Sequence, residues 1–339
     1  MRVRMGLHTG EPTIVDDDYV GLPARQRTLR GAIEWSYDLL DEEERTFFRR
    51  LAVFAGGFTL EAAEYVTQAR SDLEALERTA SLVDESLVHS SEDAEEEPRY
   101  AMLRTIREYA TERLEEAGEA EEVRARHAEL CLELVEQAEP ELTGAGQALW
   151  GRRLQTESDN IRAALAWAIE RGGREAPDIA RVALRLAAAL GRFWYTRGQL
   201  LEGTRWLEEA LALDAGAGSE RAKAMHNLGV LLDQRAEHER AQGLFEESLS
   251  LFRALGDTAR VATSLKSLGA AALSAGAMAR ARALLEESLE LRRKMGDEER
   301  IASTLSNLGI AAMNEDDTAR ARELFEESLV IDRRRGDKW

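Results

Sequence analysis

The sequence predicts a mainly α-helical protein: a winged-helix domain followed by an α-solenoid of helix pairs, with a small β-hairpin at the N-terminus. Three observations point there. HNLGVLLDQRAEHERAQGLFEESLSLFRALGD (226–257), KSLGAAALSAGAMARARALLEESLELRRKMGD (266–297) and SNLGIAAMNEDDTARARELFEESLVIDRRRGD (306–337) superpose at a spacing of 40 residues. Upstream, residues 23–118 read as three longer helical segments and a short one, followed by two short alternating stretches around an acidic, proline-marked loop. The residues before Gly21 look like the end of a strand hairpin, joined abruptly to an unrelated helical module.

Size and charge bound the rest. A chain of 339 residues with 44% hydrophobic residues can build two or three cored domains. The net charge of −19 opposes loose attraction to nucleic-acid phosphate or anionic membranes, so nucleic acid is disfavoured as a partner unless a local surface overrides that charge. The single Cys131, in the apolar run ELCLELVEQ, forms no intramolecular disulfide and suits a small buried position. No signal-peptide pattern and no uninterrupted run of about 18 apolar residues occurs, so a cytoplasmic protein without membrane contact is expected. Pro23, Pro98, Pro140 and Pro177 fall where one periodic pattern gives way to another.

These marks divide the chain into residues 1–22, a hairpin; 23–118, the winged helix; 119–180, a helical lead-in; and 181–339, the repeats. In the second segment RTLRGAIEWSYDLL and DEEERTFFRRLAVF are helices, the latter capped by Asp41 with Glu42 to Glu44 at its positive end. LEAAEYV and SDLEALERTASLVDES follow as a short and a longer helix, then LVHSS and RYAML as the wing. In the lead-in, Ser158 or Asp159 is the expected N-cap before the stripe Ile161, Leu165 and Ile169.

Each repeat is two helices. Leu228, Leu268 and Leu308 lead the apolar stripe of the first, and Gly229, Gly269 and Gly309 let a neighbour approach closely. The second carries Ala241, Ala281 and Ala321, then Phe245, Leu285 and Phe325, then Ser248, Ser288 and Ser328: small, large, small. A weaker copy precedes them at 188–213. This spacing resembles the tetratricopeptide repeat in a long variety with a Gly-Asp connector. One pair cannot bury its apolar face, so the copies should stack into a right-handed superhelix with a concave groove lined by the first helices. The predicted groove residues are Arg185, Arg192, Tyr195, Lys223, His226, Asn227, Asp233, Gln234, Lys266, Ser306, Asn307, Met313 and Asn314. A basic and amide lining favours a protein or peptide ligand held through its backbone and carboxylates.

LPARQRTLRGAIEWSYDLLDEEERTFFRRLAVFAGGFTLEAAE, RYAMLRTIREYATERL and SDNIRAALAW, in that order and followed by the repeats, resemble the bacterial signal-transduction ATPases. That family places a nucleotide-binding switch before a winged helix and tetratricopeptide repeats after it. The resemblance implies a winged helix acting inside the protein and repeats that sense a partner. The alternative is a transcriptional regulator that reads DNA through its winged helix. Against it, the third long helix carries Asp72, Glu74, Glu77, Asp84 and Glu85 against Arg70 and Arg78. Arg25, Arg27 and Arg30 form a small basic cluster on the first helix.

Residues 2–21, RVRMGLHTGEPTIVDDDYVG, resemble a strand hairpin of the class III adenylate and guanylate cyclases. The parts of that family that bind metal and stabilise the transition state have no counterpart here. Asp16, Asp17 and Asp18 point in different directions in a strand or turn, as a solvated acidic turn does. Gly-Lys never occurs, so there is no P-loop; Gly-x-Ser-x-Gly, Cys-x-x-Cys and His-Glu-x-x-His are absent too. The expectation is therefore no catalytic residue, no metal, no cofactor and no enzymatic activity, a remnant nucleotide site being the remotest alternative. The last repeat, near Leu324, Leu329 and Ile331, is expected to expose an uncapped apolar face through which copies could associate.

Overall fold

A computed structural model describes residues 24–91, 98–144, 146–173, 176–213, 216 and 218–335. The hairpin and cyclase-like stretch expected over residues 1–22 lie outside the described residues, as do the side chains of Arg25 and Arg27. The chain forms two compact units, one of Met1–Ala52 with Phe58–Ala120 and one of Val53–Gly57 with Glu121–Trp339.

The first unit begins with α1 (Ala24–Leu39) and α2 (Glu42–Arg50). Asp41 starts α2 with a full capping box: its carboxylate accepts the Glu44 N–H at 2.8 Å, and the Glu44 carboxylate accepts the Asp41 N–H at 2.9 Å. α3 (Leu60–Thr67) and α4 (Asp72–Asp84) are capped by Thr59 and Ser71. The expected wing strands shorten to β1 (His89–Ser91) and β2 (Arg99–Ala101), because Leu87 and Val88 turn into the core. They pair antiparallel, and Tyr100 also exchanges both backbone hydrogen bonds with Phe58. α5 (Arg104–Glu116) packs on α1 and α2, and Phe47, Phe48, Leu82 and Leu87 of this unit are buried. Glu119, just beyond it, bonds Arg49 and Arg50 of α2 at 2.9 Å each.

The second unit opens with α6 (Ala120–Glu141), α7 (Gln147–Thr156) and α8 (Ser158–Arg171). Neither Ser158 nor Asp159 caps α8. Ser158 is buried and donates back to the Leu154 carbonyl at 3.0 Å, because α7 runs almost directly into α8. The residue that does the local work is Asn160. Its amide oxygen accepts the N–H groups of Ala55 (2.8 Å) and Gly56 (3.1 Å), and its amide nitrogen donates to the Gly57 carbonyl (2.8 Å). One side chain thereby satisfies three backbone groups of the Val53–Gly57 stretch, which no strand or helix serves.

Four helix pairs follow: α9 (Pro177–Arg197) with α10 (Leu200–Ala212), α11 (Ser219–Gln234) with α12 (His238–Leu255), α13 (Thr258–Ser274) with α14 (Met278–Met295), and α15 (Glu298–Asn314) with α16 (Thr318–Arg335). The repeating code is visible in their packing. A side chain at Gly229, Gly269 or Gly309 would collide with Phe245, Leu285 or Phe325, which fill that space from the second helix of the same pair. Ser288 and Ser328 are buried and donate across the pair to the carbonyls of Ala262 (2.7 Å) and Ala302 (2.9 Å). Pairs are joined by Gly256 and Gly296, left-handed at φ 71° and 70°, followed at once by Asp257 and Asp297, which cap the next helix.

In the C-terminal pair Leu324 is buried, in a cluster with Leu285, Leu289, Leu305 and Leu308 that joins it to the preceding pair, while Leu329 and Ile331 are half-buried and Ile310, Met313 and Val330 are exposed. Among the described residues, no helix is long and apolar enough to cross a membrane.

Candidate functional site

Successive first helices touch one another along the backbone, α9 with α11, α11 with α13 and α13 with α15, whereas successive second helices approach less closely. The first helices therefore line the inner side of the array, and the thirteen predicted groove residues all lie on them.

Many of those residues already have partners. Arg185 makes two bonds to Glu136 of α6, at 2.8 and 2.7 Å, and Lys223 pairs with Glu139 of the same helix. Asn227 donates to the Ala188 carbonyl at 2.7 Å and rests on Gly191, so it ties α11 to α9. Asp233 bonds His238 at 2.9 Å across a turn. Ser306 reaches the Ala302 carbonyl and Ser328, and Asn314 the sulfur of Met278.

A different group remains available. Arg192 is exposed and lies over the ring of Tyr195, 5.6 Å from its centroid. Gln234 and Met313 are exposed, and Asn307 is half-buried. Lys266, on α13, is half-buried and makes no ion pair among the described residues. Its ammonium is pulled below the usual lysine range by burial first, and then by the positive charges of Arg292, Arg192 and Arg300. Of these, Arg292 and Arg300 share the carboxylate of Asp297, at 3.1 and 3.3 Å. His226, at the position equivalent to Lys266 one repeat earlier, meets Ser264 at 3.3 Å and packs on Phe245. Burial, reinforced by Arg260 and Lys266, pushes its imidazole down to about 4. It is neutral near pH 7 and adds no charge to the cluster.

The outer face of α4 has the opposite character. Arg78 is half-buried and bonds Glu43 (2.6 Å) and Glu74 (2.5 Å), and Arg70 bonds Glu43 at 3.1 Å. Arg30 on α1 pairs with Glu112. What α4 exposes is Asp72, Leu73, Leu76, Glu77, Ala80 and Asp84, without a cation. Among the described residues, no group of three or more His, Cys, Asp or Glu side chains is placed to hold a metal ion.

Residues 40–115 match the winged helix-turn-helix domain family, and residues 221–294 and 301–335 match tetratricopeptide repeat families. A Mycobacterium tuberculosis protein named "Putative HTH-type transcriptional regulator Rv0890c" is 36% identical over 261 residues, 74% of this chain and 28% of that protein. A Mycobacterium bovis protein with the corresponding name matches equally. The chain thus spans little more than a quarter of the length of these curated relatives. Among solved structures, BtubC from P. vanneervenii aligns with a TM-score of 0.48 and 23% identity, over 64% of this chain and 93% of that one. A signal transduction ATPase with numerous domains and a tetratricopeptide repeat sensor, from Pyrococcus horikoshii, aligns with a TM-score of 0.47 and 16% identity, over 90% of this chain and 46% of that one. Residues 40–115 are a winged helix, and residues 221–294 and 301–335 are tetratricopeptide repeats.

Proposed function

We propose that this chain is a non-catalytic binding module of a cytoplasmic signalling regulator of the signal-transduction ATPase type, and that the inner face of its repeats takes an acidic peptide segment of a partner protein. The observation that carries this reading is Lys266. A half-buried ammonium without a counter-charge, close to Arg192 and Arg300, is costly in isolation and favourable once a ligand carboxylate reaches it. In a chain of net charge −19 such a surplus is local, and it lies on the side where the first helices leave side chains unpartnered.

The test is fluorescence anisotropy with a labelled peptide of alternating Glu and Leu, beside its Lys and Leu counterpart and a labelled DNA duplex. Binding of the acidic peptide that weakens at least tenfold in Lys266→Glu, with no binding of duplex, is the expected result. Acidic-peptide affinity unchanged by Lys266→Glu and Arg192→Glu would overturn the inner face as the site. Salt-sensitive duplex binding would move the reading to a DNA-binding regulator, the role named for the mycobacterial relatives.

A further inference from the structure

The outer face of the repeats has an opening where its period predicts a closure. Its second helices are joined by ion pairs: Arg240 of α12 to Glu208 of α10 at 2.6 Å, Arg280 of α14 to Glu246 of α12 at 2.5 Å, and Arg293 of α14 to Glu327 of α16 at 2.6 Å. One period beyond Arg280 and Glu246 stand Arg320 and Glu286, which could form the same bridge between α16 and α14. They do not. Arg320 bonds Glu323, three residues along its own helix, at 3.0 Å. The residues equivalent to Glu323 in the two preceding repeats are Gly243 and Ala283, which offer an arginine nothing. A single acidic side chain diverts the arginine, and Glu286 is left without a basic partner among the described residues.

Where the bridge is missing, a cavity of about 520 Å³ opens between α14, α15 and α16. Its apolar lining comes from Leu289, Leu308, Ala311, Ala312 and Leu324, and Glu286 lies on its border. The basic residues around it are already engaged: Arg282 with Glu315, Arg293 with Glu327, Lys294 with Glu290, and Arg320 with Glu323. The uncompensated charge at this opening is therefore negative. Asp317 also borders the cavity, its carboxylate held by the Arg320 N–H at 3.0 Å, and a cavity of several hundred Å³ with an apolar lining and a carboxylate left unengaged has the make-up of a small-molecule site.

We infer that this cavity binds a small organic cation, an ammonium with an aliphatic or aromatic body, its charge on the Glu286 carboxylate and its body on the leucine and alanine lining. The site's carboxylate is on the second helix α14, and α15 contributes only Leu308, Ala311 and Ala312, none of them an inner-face residue assigned to the peptide, so the site stands whether or not the inner face binds one. The test is titration calorimetry of the full chain with phenethylamine, and with 2-phenylethanol as the neutral probe of nearly the same shape. Glu286→Gln removes the acceptor. Glu323→Ala removes the competitor and returns Arg320 to Glu286, and Glu326→Ala removes the same charge from α16 at a residue that bonds Arg322 instead. The expected result is amine binding at least tenfold tighter than alcohol binding, lost in Glu286→Gln and Glu323→Ala and kept in Glu326→Ala. All three positions are on the surface, and melting curves establish that each variant is folded. Absence of amine binding, equal affinity for amine and alcohol, or binding undiminished in Glu286→Gln would overturn the inference.

Discussion

The winged helix and the repeats use their basic side chains in contrasting ways. In the winged helix, arginines help close the fold: Arg49 and Arg50 meet at Glu119, Arg70 and Arg78 meet at Glu43, and Arg30 meets Glu112. In the repeats a glycine, a large apolar side chain and a small one close each helix pair without charge. Part of the inner face is then free of structural duty, and Lys266 stands without a counter-ion among the described residues, although Arg185, Lys223 and Asn227 on the same side are held by partners. The lesson concerns net charge. An acidic total says nothing about where a cation is available, which depends on whether the local fold needs that cation for itself.

Three experiments would break or sharpen the contrast. The largest effect is expected from Phe245→Ala. Phe245 is 2% exposed and stands over Gly229, so its loss leaves a cavity and costs about 3–5 kcal/mol in urea unfolding. A cost below 1 kcal/mol would mean that the apolar code does not hold the pairs together.

The next effect is on acid sensitivity, which should differ between the units in its pH window. On α6 of the second unit, burial, opposed by a hydrogen bond to Asn160, pushes the His127 imidazole down to about 4. The unfolded chain takes up that proton near pH 6.5 and the folded chain does not, so stability is full above pH 6.5 and falls between 6.5 and 4, by roughly 3 kcal/mol at most. In the winged helix, burial alone would raise the Glu119 carboxyl, but hydrogen bonds from Arg50 and Arg49 outweigh it and hold the group at about 2. That contribution is present above pH 4.5 and is lost between 4.5 and 2. Segment-resolved hydrogen exchange after equilibration at pH 7, 5 and 3 should show α6 around His127 losing protection before α2 beside Glu119, and the reverse order would contradict both assignments.

The smallest effect is a gain. Ala236 occupies the left-handed turn between α11 and α12 at φ 62°, where the two neighbouring pairs place Gly198 and Gly276. An alanine is strained there, so Ala236→Gly should stabilise the repeats by about 1 kcal/mol, read as a raised urea midpoint.

What the sequence made legible was local or periodic. The Gly229 and Phe245 partnership recurs twice more, the Asp41 capping box spans four residues, and the Gly-Asp connectors are adjacent pairs, so each is written within one stretch of chain. Contacts between distant stretches were not. The predicted inner-face residues lie on first helices, and the carboxylates that occupy Arg185 and Lys223 come from Glu136 and Glu139 on α6, far back in the chain. Asn160 sits in a motif whose order was noticed, but its use, holding backbone at residues 55–57, needs the three-dimensional meeting of two segments a hundred residues apart. Ser158 does not cap α8, and in the sequence a serine ahead of an apolar stripe looks the same whether or not another helix runs straight into it. Glu323 was plainly visible as an acid, and its effect on Arg320 appears only with the geometry.

The Gly-Asp connectors also say how such an array can change over evolutionary time. Gly256 ends one helix and Asp257 begins the next, with no residue between them to absorb a shift, and Gly296 and Asp297 repeat the arrangement. Adding or removing one or two residues there would separate terminator from initiator and rotate everything downstream. Duplicating or deleting a whole 40-residue unit leaves every such joint intact. The gene can therefore vary its copy number more freely than its spacing, and the length of the inner face is heritable in discrete steps.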